Sequence, residues 1–142
     1  MTNPAAHDLT LDQEASRILR EAADLLERTG LCDGHMVKLP DNSLGPRQQS
    51  WRDGVILADG LAFCGRGAIY AVAKEPPYLD RYEYSKPTER ARDAIDFSVR
   101  KYQRPVSGAR NLIDWVDNCR ASGSQVIAMM RLTAEMIDQG AI

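Results

Sequence analysis

A stripe of apolar residues at Leu11, Ala15, Ile18, Leu19, Ala22, Leu25 and Leu26 constrains this chain more than any other feature. These positions recur at intervals of three and four, so they share one face of an α-helix and leave the opposite face to charged side chains. Such a helix draws most of its stability from burying the stripe, which requires other apolar helix faces in the same chain. Thr10-Leu11-Asp12-Gln13 reads as a capping box at its start and Gly30 as its stop. Residues 1–9 are then expected to be a flexible leader, with 10–142 a single helical domain. On the polar face Arg17/Glu21, Arg20/Asp24 and Asp24/Arg28 stand four apart with opposite charge, each pair worth about 0.2–0.5 kcal/mol.

Three further helices follow from the same spacing. One is expected over 62–73, ended by Lys74-Glu75-Pro76-Pro77. The next runs from Pro87-Thr88 to Tyr102, with Ala91, Ala94, Ile95, Ser98, Val99 and Tyr102 inward and Arg92/Asp96 and Asp96/Arg100 bracing the outside. Pro105 and Gly108 break it, and a linker carries Leu112, Ile113 and Trp115. The last opens on a second capping box, Ser122-Gly123-Ser124-Gln125, and reaches Gln139 with Val126, Met129, Met130, Thr133, Met136 and Ile137 on one side. Between the first two helices, Asp33-Gly34, Asp41-Asn42, Gly45-Pro46, Asp53-Gly54 and Asp59-Gly60 mark a turn-rich insertion. Its apolar pieces at 35–39 and 54–57 suit either a small β-hairpin or a packed loop pinned by Trp51. The fold class is mainly α, a compact bundle of about four helices.

Phe63-Cys64-Gly65-Arg66-Gly67-Ala68 bares one side of the second helix. Each glycine costs a helix about 0.8–1.0 kcal/mol relative to alanine, so a close approach of other atoms is expected at Gly65, Gly67 and Ala68, in a structural role.

With 142 residues, 44% apolar and 27% charged, the chain has enough material for one core. Its 18 basic and 20 acidic residues give a net charge of −2, which argues against broad nucleic-acid binding. No apolar run has the length of a membrane span, and the N-terminal residues lack a signal-peptide pattern. Three widely spaced cysteines suit reduced thiols and a cytoplasmic setting.

Four patterns have the look of chemical sites. Cys64 at a helix start has the position of an activated thiol, but the two histidines, His7 and His35, both precede it, unlike the cysteine-then-histidine order of papain-like enzymes. Cys32-x-x-His35 has a zinc-like spacing, yet Cys64 and Cys119 are lone partners far along the chain, so no metal is expected. Gly60-x4-Gly65-Arg66-Gly67 departs from a phosphate-binding loop at the lysine and the hydroxyl, and no cofactor is expected. Arg100, Lys101, Arg104 and Arg110 gather at the end of the third helix, where cations also suit the helix dipole.

Leu25-Leu26-Glu27-Arg28-Thr29-Gly30, the aromatic-Cys-x-x-Gly-Ala block at Phe63–Ala68 and the loop Trp115-Val116-Asp117-Asn118 occur in an order that resembles a family of small bacterial and bacteriophage proteins, domain of unknown function 6197. The resemblance covers about residues 12–138. It departs where Val116 separates Trp115 from Asp117 and where Gly65-Arg66 replaces apolar residues. It implies an α-dominated fold and a phage or mobile-element setting, and no activity.

The expected function is a non-enzymatic interaction or regulatory protein with a host or phage protein as partner, through Tyr78, Tyr82 and Tyr84 and through Met129 and Met136. Neither nucleic acid nor membrane is expected as partner, and homo-oligomerisation stays open. The alternative is a small enzyme or small-molecule binding module using Cys64 with Trp115, Asp117 and Asn118.

Overall fold

The computed structural model describes residues 4–32, 37–38, 62–75 and 83–142, with side chains for 10–32, 63–75 and 83–142. Trp51, the apolar piece at 54–57, His35, Tyr78 and Tyr82 lie outside the described residues. Helix α1 spans Pro4–Thr29. It starts six residues before the expected cap: Pro4 takes the first helical position, where its missing N–H is harmless, and two alanines follow. Thr10 is therefore inside the helix, which takes in residues 4–9. Gly30 ends it as expected, at φ 105° with its N–H bonded to the Leu26 carbonyl at 2.8 Å.

Strand β1, Val37–Lys38, pairs antiparallel with β2, Ala62–Phe63, in the register Val37 to Phe63 and Lys38 to Ala62. A parallel bridge joins Phe63 to Leu31 as well, so the fully buried Phe63 lies between two backbones. The apolar piece around Val37 thus pairs with the residues just before the second helix. Helix α2, Gly65–Ala73, starts three residues later than its spacing suggested because Ala62 and Phe63 are in that pairing. It stops at Lys74 in the left-handed conformation, with Glu75 N–H bonded to the Tyr70 carbonyl at 3.0 Å.

Helix α3, Lys86–Tyr102, is capped by Ser85. The stretch expected as a linker is helical instead: α4 spans Arg104–Ser107 and α5 spans Leu112–Asp117. Pro105 both breaks α3 and opens α4, since its fixed φ suits a helix start. Gly108 at φ 79° stops α4, and the Asn111 side chain accepts the Asp114 N–H to start α5. Helix α6, Gly123–Asp138, carries the expected capping box, Ser122 and Gln125 satisfying each other's backbone N–H.

Helices α1, α3 and α6 enclose the core, and α1 packs most extensively along α6. The pairs Arg20–Asp138 and Arg131–Asp24 show that those two run antiparallel. Ile18, Leu19, Leu26, Ile95, Val99, Val126 and Met130 are at most 2% exposed, so the three stripes meet as their spacing required. The charge pairs inferred along single helices are mostly replaced by tertiary ones. Arg17–Glu21 forms as expected, but Arg20 reaches Asp138, Asp24 reaches Arg131, and Arg92 lies 5.6 Å from the Tyr84 ring centroid. Asp96, expected to brace the outside of α3, points instead into the junction of α2 and α5.

Candidate functional site

Cys64 stands between β2 and α2 because Phe63 is held on both edges. The Phe63 N–H donates to Gly30 O at 3.2 Å and the Cys32 N–H to Phe63 O at 2.9 Å. Cys64 is thereby fixed in an extended conformation, φ −75° and ψ 169°, as the N-cap of α2, and its Sγ accepts the Gly67 N–H at 3.2 Å. A sulfur fills the role that serine or aspartate usually takes. Burial pushes the thiol pKa up, opposed by the Gly67 N–H and assisted by Cys32 and Asp117, from the ordinary 9.0 to about 12. A helix start favours a thiolate; desolvation outweighs it here.

The three small residues beside Cys64 explain the close approach. A Cβ added to Gly65 would stand 2.7 Å from Leu112 Cδ2, 3.0 Å from Cγ and 3.1 Å from Cδ1, and Leu112 is fully buried. Gly67 is buried and donates its N–H to the sulfur, and Ala68 is fully buried. Arg66, between the glycines, extends to Asp96 of α3 at 2.9 Å, both side chains being 13% exposed. The other Asp96 oxygen accepts the Leu112 N–H at 2.9 Å. One carboxylate therefore joins α2, α3 and the start of α5. Sequence spacing gave no sign of it, because its partners lie 30 and 16 residues away.

The constellation Cys64, Trp115, Asp117 and Asn118 is only partly assembled. Asp117 lies close enough for its charge to raise the Cys64 pKa. It lines an open depression of about 540 Å³ with Leu31, Cys32, Arg120, Ser122 and Gly123. Trp115 is 3% exposed and walls a different concavity, against α6. Asn118 donates its side-chain amide to Asp114 Oδ1 at 2.7 Å, and its backbone N–H closes α5 on the Asp114 carbonyl. That amide bond first, then the Arg110 backbone N–H, lowers the Asp114 pKa. Asp114 is thus the organising carboxylate of this turn, and the sequence reasoning passed over it.

Tyr84, expected on an exposed loop, is 8% exposed and stacked on Tyr70, with ring centroids 4.7 Å apart and planes 16° from parallel. Met129 and Met136 are 6% and 7% exposed, because both belong to the inward stripe of α6. The large apolar side chains exposed among the described residues are Phe97, Val106 and Leu132, which lie off the inward stripes, and Tyr102, which its spacing had placed on one. Val106 and Leu132 were recognisable as apolar residues off any stripe, whereas Tyr102 was assigned to one.

Among the described residues no group of three or more His, Cys, Asp or Glu side chains converges as a metal site. No described helix is long and apolar enough to cross a membrane. No curated protein and no solved structure matches the chain. A family model does match, over residues 10–136, and the block around Cys64 and the Trp115 helix both lie inside that span; the chain belongs to the family of unknown function DUF6197.

Proposed function

We propose that this chain is a non-enzymatic interaction or regulatory protein, an accessory factor of phage or mobile-element type that acts by binding a protein partner. The observation that carries this is the state of Cys64: a buried thiol, used as a helix cap, with a pKa pushed to about 12. Burial therefore holds the group as the neutral thiol near neutral pH, whereas the thiolate is the nucleophile. Exposed Phe97, Tyr102, Val106 and Leu132 supply the kind of apolar contact a partner needs.

Alkylation of the native protein by iodoacetamide, followed by peptide mass analysis, tests it. Cys119 is expected to react and Cys64 to stay unmodified until the protein unfolds. Rapid modification of Cys64 at neutral pH would restore the alternative, a small enzyme or small-molecule module with Asp117 in the 540 Å³ depression. Against that alternative, the depression presents Asp117, Arg120 and Ser122 more than the apolar walls typical of ligand clefts.

A further inference from the structure

The exposed apolar surface concentrates where α3 gives way to α4 beside α6. Tyr102 is 40% exposed, Val106 82% and Leu132 42%. The Tyr102 hydroxyl lies 3.7 Å from Met136 Sδ, so Tyr102 and Leu132 border adjacent turns of α6. Alongside is a groove of about 220 Å³ walled by Gln103, Trp115, Gln125, Ala128, Met129 and Leu132. It is smaller than the roughly 300–1,000 Å³ of small-molecule clefts. Its scale is that of a single large side chain.

Three cations bracket the chain beside Tyr102 and Gln103, two in the last turn of α3 and one at the start of α4. Arg100, Lys101 and Arg104 are exposed, and none has a carboxylate within ion-pair distance among the described residues; the same holds for Arg28, Lys74, Arg92 and Arg120, but those are scattered, whereas these three lie within five residues. Lys101 Nζ stands 5.4 Å from the Tyr102 ring centroid, which ties the positive charge to the apolar strip. On α6 the exposed Glu135 accepts a hydrogen bond from Gln139 rather than from any of the three cations. Helix-dipole complementarity accounts for Arg100 and Lys101 in the last turn of α3, but it gives no reason for three large apolar side chains to stay in water beside them.

We propose that this face is a docking site for an acidic amphipathic segment of a partner protein. One bulky apolar side chain enters the groove, and flanking Asp or Glu residues meet Arg100, Lys101 and Arg104. The inference rests on the interaction role proposed above and gives it a place and a partner chemistry. Apolar walls at Trp115, Ala128, Met129 and Leu132, and an aromatic ring already attended by Lys101, favour a peptide over a nucleic acid that would stack on open rings.

The test is selection from a phage-displayed random peptide library on the full-length chain. Enriched peptides are expected to carry one or two large apolar residues flanked by Asp or Glu. Fluorescein-labelled copies should bind with an affinity that falls as salt rises. The triple variant Arg100→Gln/Lys101→Gln/Arg104→Gln is expected to bind them about tenfold more weakly, and Leu132→Gln to weaken them comparably, both with an unchanged circular dichroism spectrum. The proposal is overturned by no enrichment, by basic or uncharged motifs, or by undiminished binding to both variants. Preferential binding of a single-stranded oligonucleotide, or a wild-type dimer that the variants dissociate, overturns it as well. A protein recovered from lysate equally by wild type and triple variant removes this surface and leaves the interaction role standing. Catalytic turnover without protein capture removes the role itself.

Discussion

Replacing Gly65 by alanine tests the close approach on which the α2–α5 contact depends. The added methyl would meet three atoms of Leu112 at 2.7, 3.0 and 3.1 Å, well inside van der Waals contact. One of those atoms is the branch point Cγ, and Leu112 is fully buried, so the side chain has little room to swing away. Overpacking of this kind costs about 1–3 kcal/mol. Alanine returns at most about 0.8–1.0 kcal/mol of helix propensity, and less at the first helical residue. The net expectation is a loss of about 1–2 kcal/mol. For 142 residues the unfolding entropy makes that a fall in Tm of about 3–7 °C. Differential scanning calorimetry reads it directly. Leu112→Ala alone should lose about 2–5 kcal/mol. In the double variant the new methyl occupies vacated space, so the two losses should fall short of additivity by about 1–2 kcal/mol. A Gly65→Ala protein melting at or above wild type, or an additive cycle, would refute the steric argument.

Other outcomes follow from the same structure. Asp96→Ala strands the half-buried Arg66 and removes the acceptor of the Leu112 N–H; it is expected to destabilise by about 3–5 kcal/mol in urea unfolding, and Asp96→Asn by less, since an acceptor survives. Because the folded Cys64 pKa is raised, the folded state holds its proton while the unfolded thiol loses it above pH 9, so stability should fall as pH rises from 9 towards 12. The loss from this group at pH 10 is on the order of 1 kcal/mol, and Cys64→Ser, which keeps the cap, should remove it from the pH profile. The Asp138 carboxyl is partly desolvated, which raises its pKa, but bonds from Arg20 and Ser16 hold it below the ordinary value. Its contribution is therefore present above pH 4 and lost on acidification below it. At this exposed pair Arg20→Ala should lower stability by only about 0.2–1 kcal/mol at pH 7, and the gap to wild type should close in acid melts.

The helical stripes were legible in sequence because a period of 3.6 is a local signal, and the residues of α1, α3 and α6 that it selected form the core, except partly buried Leu11 and exposed Tyr102. Local chemistry also identified the Ser122–Gln125 cap and the Gly30 stop. The start of α1 was misplaced because Thr10 and Gln13 match a capping box equally well inside a helix, where nothing in four residues reports the chain before them. Pro105 and Gly108 were read as breakers alone, although the same two residues can bracket a short helix such as α4. At the candidate site, the meeting of Gly65 and Leu112 was foreshadowed by the glycine, which supplied no partner name. The Arg66–Asp96–Leu112 junction was invisible, since an i,i+4 neighbour always competes in sequence with a partner thirty residues away. Tyr84 was placed outside because a tyrosine near prolines has the composition of a loop, and composition carries no information about the ring of Tyr70.

The antiparallel packing of α1 on α6 has a consequence during synthesis. The first helix emerges from the ribosome with its apolar stripe bare, and its main partner begins at Gly123, 94 residues after Thr29. At 5–20 residues per second that gap lasts roughly 5–20 s. For that interval the nascent chain holds a greasy rod that α2 and α3 cover only in part, a natural client for whatever chaperone waits at the exit tunnel.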